Sequence, residues 1–298
     1  MSTEETSPRY AELDLWPTAQ AVTAMFEGQI EAVAAVRPQI GAIANAADEA
    51  AERLRNPSGR LVYVGAGTSG RLAALDGVEL DPTFGWSRDR LIIGIAGGLD
   101  ALAGSVEGAE DDEEASRDLV RSAGLDRTDV MISVAASGTT PFTVAAVREA
   151  SAAGALTVGI SNNANTPLLL AADHPILLDT GPEVLAGSTR MKAGTAQKIG
   201  LNLLSTAIMV RLGHVHDGLM VDMRVSNRKL RRRAIGMVAQ IAGVDPQAAE
   251  AALDRAENDI KLASLIASGV ERDQARALLA ASENNLRSAL AAARERAR

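Results

Sequence analysis

Cysteine is absent from this sequence of 298 residues, which excludes disulfides, thiolate zinc sites and cysteine nucleophiles. Histidine is scarce. His174, His214 and His216 are the only three, so a three-histidine metal site would need all of them, and acid–base chemistry falls to carboxylates assisted by Lys, Ser and Thr. Aromatic residues make up 2%, too few for the stacking platforms that hold single-stranded nucleic acid. The net charge of −8 argues against a phosphate-backbone binder, so no nucleic-acid partner is expected. No apolar run approaches the ~18 residues of a membrane span. The densest stretch, 199–210, is broken by Asn202, Ser205 and Thr206. Residues 1–8 are polar and acidic and lack the apolar core of a secretion signal, so the expected location is the cytoplasm, away from membranes.

What is present is 47% hydrophobic and 23% charged, the profile of a globular protein with ample core. Residues 18–54 read as helix interrupted by Pro38. Short apolar runs at 60–64, 91–96, 130–135, 155–160 and 175–178 read as strands, separated by helical stretches at 70–80, 101–122, 141–153 and 167–172. This alternation predicts a parallel sheet covered on both faces, with ligands at the carboxyl ends of the strands. After Thr180 the strand signal stops. Residues 193–212 read as one long helix ended by Gly213, and the chain reads as helical from Ser226 on, with no repeat of 20–50 residues found. The expected partition is an N-terminal arm with helices (1–55), an α/β domain (56–230) and a small helical subdomain (231–298).

Three loops carry chemistry. Gly65-Ala66-Gly67-Thr68-Ser69-Gly70-Arg71 follows a strand and opens a helix, where glycines let the backbone approach an anion and the helix start offers N–H groups. It also fits G-x-G-x-x-G, but the next strand ends Ile95-Ala96-Gly97-Gly98 without the acid that a dinucleotide site wants. Phosphate or sugar binding at Gly67, Thr68 and Ser69 is favoured, with a merely structural turn left open. Ala135-Ala136-Ser137-Gly138-Thr139-Thr140-Pro141 repeats the theme. Ser137, Gly138, Thr139 and Thr140 can bond phosphate oxygens, or Thr139 or Thr140 can simply cap the helix. Two such loops without a Walker-type lysine favour a sugar monophosphate over a nucleotide. In Gly187-Ser188-Thr189-Arg190-Met191-Lys192, the cations Arg190 and Lys192 lie near a helix N-terminus, where positive charge is disfavoured. They hold a carboxylate or phosphate there, or else form a solvated first turn.

Among the carboxylates, Glu79 lies near the end of the helix opened by the first loop. The negative end of a helix dipole favours the protonated carboxyl, which suits a proton donor, and Asp76 one turn earlier would add like-charge repulsion. Glu107 and Glu110, three apart and so on one helix face, could both reach the site, and the sequence does not choose between them. Glu183 is a third candidate. Asp112 to Glu114 read as a solvated face. His214-x-His216 reads as a surface or interface loop rather than half a metal site. The basic run Arg228-Lys229-Leu230-Arg231-Arg232-Arg233 reads as a solvated or subunit-contacting helix, with a local phosphate contact as the other reading.

The two loops resemble those of the sugar isomerase (SIS) domain. A fuller set, in order along nearly the whole chain, is similar to the N-acetylmuramic acid 6-phosphate etherases. It comprises Leu75-Asp76-Gly77-Val78-Glu79, Pro82-Thr83-Phe84-Gly85, Ile95-Ala96-Gly97-Gly98, Val106-Glu107-Gly108-Ala109-Glu110-Asp111, Gly187-Ser188-Thr189-Arg190-Met191-Lys192-Ala193-Gly194-Thr195, Leu219-Met220-Val221-Asp222-Met223 and Asn227-x-Lys229-Leu230. Two departures stand out. Leu80-Asp81 replaces the usual Cys-Pro, adding a charge near Glu79, and residues 6–18 match only loosely. The resemblance implies a five-stranded parallel αβα sandwich (an SIS domain, flavodoxin-like) in a homodimer. It also implies cleavage of the lactyl ether of a sugar phosphate in cell-wall sugar recycling. In that reaction Glu79 is the acid that later activates water, Glu110 is the base, Ser188 belongs to the binding set, and no metal or redox cofactor is required. A phosphosugar isomerase on the same fold and a non-catalytic sugar-phosphate sensor are the competing readings.

Overall fold

Pro38 divides the N-terminal helical stretch into α1 (Thr18–Val36) and α2 (Ile40–Leu54), with a 3-10 turn between them, because a proline lacks the N–H a helix interior needs. This computed structural model describes residues 2–104 and 106–296. The five expected strands form: β1 (Leu61–Gly65), β2 (Leu91–Ile95), β3 (Val130–Val134), β4 (Leu156–Ser161) and β5 (His174–Leu177). They make one parallel sheet in the order β2-β1-β3-β4-β5. β1, β3 and β4 are buried throughout, as parallel strands covered on both faces must be. Gly65 stands opposite Ile95 and Val134, so the loops after β1, β2 and β3 leave one edge side by side.

The helices between the strands are α3 (Gly67–Val78), α4 (Leu80–Phe84), α5 (Glu113–Ala123), α6 (Pro141–Ala152) and α7 (Pro167–Ala171), and α8 (Lys192–Arg211) follows β5. Among the described residues no helix is long and apolar enough to cross a membrane.

Three expectations are corrected. The helix expected over 101–122 is only α5. Before it runs a loop with short 3-10 turns at Leu99–Leu102 and Ala109–Asp111. Gly108 takes a left-handed conformation there, and Asp112, exposed as expected, caps α5 by accepting from Ala115 N at 2.9 Å. Arg71 of α3 fastens this loop, donating to Ala101 O at 2.8 Å and Gly104 O at 2.6 Å. Second, strand structure does recur after Thr180. β6 (Val215–His216) and β7 (Leu219–Met220) pair antiparallel across Asp217-Gly218, both at positive φ, a two-residue hairpin turn that an Asp-Gly pair favours.

Third, a repeat is present. The closing helices are α9 (Arg228–Ala242), α10 (Pro246–Arg255), α11 (Ile260–Ala267), α12 (Arg272–Ala281) and α13 (Leu286–Arg296). α10–α11 and α12–α13 share one pattern of bonds. Ala249 N to Asp245 O recurs as Ala275 N to Glu271 O, Asn258 N to Leu253 O as Asn284 N to Leu279 O, and Ala263 N to Asp259 O as Ala289 N to Asn285 O. Glu257-Asn258 and Glu283-Asn284 are both left-handed. Asp259 and Asn285 occupy matching caps.

The chain divides into two compact units: the chain up to Val78 with Arg88–Ile208, and Glu79–Ser87 with the chain from Met209 on. The first holds the sheet. Inside it Tyr63 is fully buried and donates to Asp76 Oδ2 at 2.9 Å, while Asp76 Oδ1 accepts from Asn202 at 2.5 Å and Ser205 at 3.2 Å. Burial, then the charge of Asp76, push the Tyr63 phenol well above its ordinary value. Asp76 is therefore a buried hub joining β1, α3 and α8. The second unit packs around Met237, Leu253, Ile260, Leu265, Leu278 and Leu286. Its buried Lys261 pairs with Asp222 and donates to Asn284 O at 2.8 Å, as a buried cation requires.

Candidate active site

The carboxyl edge of the sheet folds the way it does because glycine backbone must touch backbone. A Cβ on Gly65 would lie 2.8 Å from Gly70 Cα, and one on Gly70 would lie 2.7 Å from Gly65 O. With both positions glycine, α3 starts directly at the end of β1, presenting Gly67, Thr68 and Ser69 in its first turn, where backbone N–H groups have no partner within the helix. After β3 the chain turns through Gly138, at φ 69°. A Cβ there would meet Thr166 Oγ1 at 2.3 Å and Ser161 Oγ at 2.5 Å. Thr139 N donates to Ser137 Oγ at 3.2 Å, and the Ser137 and Thr140 hydroxyls lie 3.4 Å apart. Thr140 occupies the N-cap position of α6, but its side chain makes no capping bond. That weakens the capping reading for Thr140, whose hydroxyl faces Ser137 instead.

These loops line a cavity of about 390 Å³ whose wall includes Gly67, Thr68, Ser69, Ser137, Thr139, Thr140, Glu110, Asp111, Thr189 and Glu4. Glu110 lines it and Glu107 does not. Gly138 is buried outside the lining, in the turn that shapes it.

The third loop divides. Thr189 faces the cavity, whereas Ser188, Arg190 and Lys192 are outside its lining. Lys192 is buried, with Nζ 2.8 Å from Glu31 Oε2 and 3.1 Å from Pro182 O, so it fastens α1 to α8 where the sequence suggested an anion ligand. Arg190 is exposed. Glu183 is buried and caps α8, with its two carboxylate oxygens each 2.9 Å from Lys192 N and Ala193 N. Burial raises its pKa, with those two N–H groups pulling the other way. Its capping role accounts for its carboxylate without chemistry.

Glu79 belongs to the second unit. It is exposed and is the joint between α3, which ends at Val78, and α4, whose N-cap it occupies. α4 is well anchored within its unit. Asp81 pairs with Arg224, Arg224 N donates to Pro82 O at 3.2 Å, and Trp86 meets His214 edge-on. His214 in turn pairs with Asp222 at 2.7 Å, so it does not read as half of a metal site. The added charge of Asp81 is thus answered by a cation.

Sequence reasoning missed Glu4, Asp111 and Thr189. Thr189 lay inside a motif already singled out, and Asp111 was embedded in an acidic run. Glu4 sits in a polar, aperiodic arm with no local signal at all.

Chemically, the cavity offers hydroxyls and helix-start N–H groups for an anion, and beside them a carboxylate able to take a proton. Residues 42–151 match the glucokinase regulatory protein N-terminal SIS domain family, and residues 110–207 match the SIS domain family. Over longer spans the chain is similar to the N-acetylmuramic acid 6-phosphate etherase of Deinococcus radiodurans, at 52% identity over 88% of this chain and 85% of that one. The etherase of Streptomyces avermitilis is 46% identical over 98% and 94%. The etherase of Salmonella choleraesuis is 41% identical over 96% and 97%.

Proposed function

The chain belongs to the N-acetylmuramic acid 6-phosphate etherase family, and on that premise we propose that it cleaves the lactyl ether of N-acetylmuramic acid 6-phosphate, giving N-acetylglucosamine 6-phosphate and D-lactate. The observation that carries the reading is one cavity holding both hydroxyl-rich loops and Glu110. In the open-chain sugar the C1 aldehyde acidifies the C2 proton. The Glu110 carboxylate takes that proton, the C2 electron pair forms the C2–C3 double bond, and the C3–O bond breaks. Its electron pair goes to the lactyl oxygen, which receives a proton from Glu79. Water then adds at C3, Glu79 accepting its proton while Glu110 returns one to C2. The sum is hydrolysis, with both carboxyl groups restored.

The phosphate is held by the start of α3 and by Ser69, Ser137 and Thr140, through charge-assisted hydrogen bonds. A single such bond is worth about 1.5–3 kcal/mol, so Ser137→Ala is expected to raise KM by roughly ten-fold or more with kcat little changed. Steady-state kinetics reads this directly, and an unchanged KM would remove the second loop from the phosphate site. The function itself is tested by D-lactate release from N-acetylmuramic acid 6-phosphate. Isomerase and sensor readings are not favoured for a chain 52% identical to an etherase over 88% of its length.

The protein works as a homodimer in the cytoplasm, recycling cell-wall sugar. The location suits a substrate whose phosphate charge bars it from crossing a membrane. The dimer is supported by an inverted α1. Its small residues Ala24, Gly28 and Ala32 are buried, whereas Val22, Phe26, Ile30 and Val33, also on one helix face, are 53%, 64%, 54% and 53% exposed. Such a stripe is unusual on a free surface, and a second copy covers it. A substitution counts twice across a two-fold axis. Removing two buried Phe side chains costs ~3–6 kcal/mol, roughly 10²–10⁴-fold in dissociation constant. Phe26→Asp is expected to sediment as monomer where the wild type sediments as dimer.

A further inference from the structure

Among the described residues, the cavity wall holds one from outside the sheet and its loops: Glu4. The N-terminal arm that carries it is fastened to the site. Thr3 is fully buried. Its hydroxyl accepts from Asn163 Nδ2 at 3.0 Å, and its carbonyl accepts from Gly187 N at 2.9 Å. Ser2 Oγ donates to Asn163 Oδ1 at 3.1 Å, and Asn163 Nδ2 also bonds Ala136 O at 2.8 Å, so the arm is tied to the Ser137 loop itself. Farther along, Arg9 bonds Glu27 and Glu31 of α1, at 2.5 and 2.7 Å. Residues 2–4 are thus a strap laid across the strand ends, and its next side chain after the buried Thr3 enters the substrate cavity.

The sheet order gives that side chain a meaning. Glu110 and Asp111 follow β2, the hydroxyl loops follow β1 and β3, and Asn163, which holds the strap, follows β4. The neutral donors occupy the two middle positions and carboxylates approach from either flank. A phosphate dianion belongs with the middle donors and is repelled by the flanks. A carboxylate beside it is matched instead to O–H and N–H donors of a sugar.

We propose that Glu4 is a specificity-determining residue, whose carboxylate accepts hydrogen bonds from the hydroxyl or acetamido N–H groups of the sugar while discouraging phosphate alone from settling in the cavity. The inference rests on the sugar-phosphate reading of the site and adds to it the selection of a polyhydroxylated amide-bearing sugar over the free anion.

The test is calorimetric titration of wild type and Glu4→Gln with N-acetylglucosamine 6-phosphate and, separately, with inorganic phosphate. The expected result is an affinity for the sugar phosphate lowered about ten-fold or more, the scale of a lost hydrogen bond to a charged group, with the affinity for inorganic phosphate unchanged or raised. Glu4 is exposed and its strap is held by Thr3, so the variant is expected to keep the wild-type thermal midpoint. An unchanged sugar-phosphate affinity overturns the proposal. So does a parallel loss of both ligands, which would mean that the substitution merely loosened the strap. D-lactate release by the wild type, measured apart, reports on the etherase reading alone.

Discussion

With Glu110 changed to Gln, D-lactate release falls by about 10²–10⁴-fold, the range expected when a general base is removed, and exchange of the C2 proton with solvent deuterium stops. The two readouts belong together because in the proposed mechanism the base acts before any bond to the lactyl group breaks. An amide of the same size keeps the shape of the cavity wall but cannot take a proton at neutral pH. Glu110 lies in a 3-10 turn and is exposed, so the substitution disturbs no core packing and the thermal midpoint is expected to hold within a degree or two. Asp111 lines the same cavity, which makes Asp111→Asn the natural control. If exchange survives in Glu110→Gln and is lost in Asp111→Asn, the base is Asp111. Binding of N-acetylglucosamine 6-phosphate is expected to persist in Glu110→Gln, because the hydroxyl loops and the start of α3 are untouched.

The sheet was legible because its strands announce themselves: five short apolar runs, three of them buried throughout, each bounded by loop residues. The glycines of the first loop were legible too, and the structure supplies their reason in the 2.8 Å approach of a Gly65 Cβ to Gly70. The stretch before α5 was not. Acidic and alanine-rich residues carry helical propensity, and only the left-handed Gly108 and the capping Asp112 reveal that the helix begins late. The repeat in the second unit escaped for a related reason. Its halves share backbone turns at Glu257-Asn258 and Glu283-Asn284, but alanine is so frequent there that matching positions look like composition.

The site was half legible. Hydroxyl loops have a local signature, strand then Ser/Thr/Gly then helix, and both line the cavity. Lys192 and Glu183 show the opposite case. Their charge made them candidates, yet each is consumed by a partner that sequence spacing cannot show, Glu31 on a distant helix and the N–H groups at the start of α8. Glu4 reaches the cavity through contacts with Asn163 and Gly187, both far along the chain, and no local pattern encodes such a bond.

Glu79→Gln is expected to separate the two halves of the reaction. Proton abstraction at C2 is assigned to Glu110 in the proposed mechanism, with the aldehyde acidifying it, so exchange with solvent deuterium is expected to continue. The lactyl oxygen, however, has no acid to protonate it, and an alkoxide is a poor leaving group, so D-lactate release drops by about 10²–10⁴-fold. The same loss applies to the second half, in which the Glu79 carboxylate would have drawn a proton from the incoming water. A substitution that only unfolded the joint between α3 and α4 would behave differently. It would disturb the Asp81–Arg224 pair and the seating of Trp86 against His214, and the thermal midpoint would fall with the activity. Exchange without release, at an unchanged midpoint, is the pattern only a missing acid produces. Release at the wild-type rate would take Glu79 out of the mechanism. Loss of exchange together with release would make Glu79 the base, and it would then be Glu110→Gln that keeps exchanging.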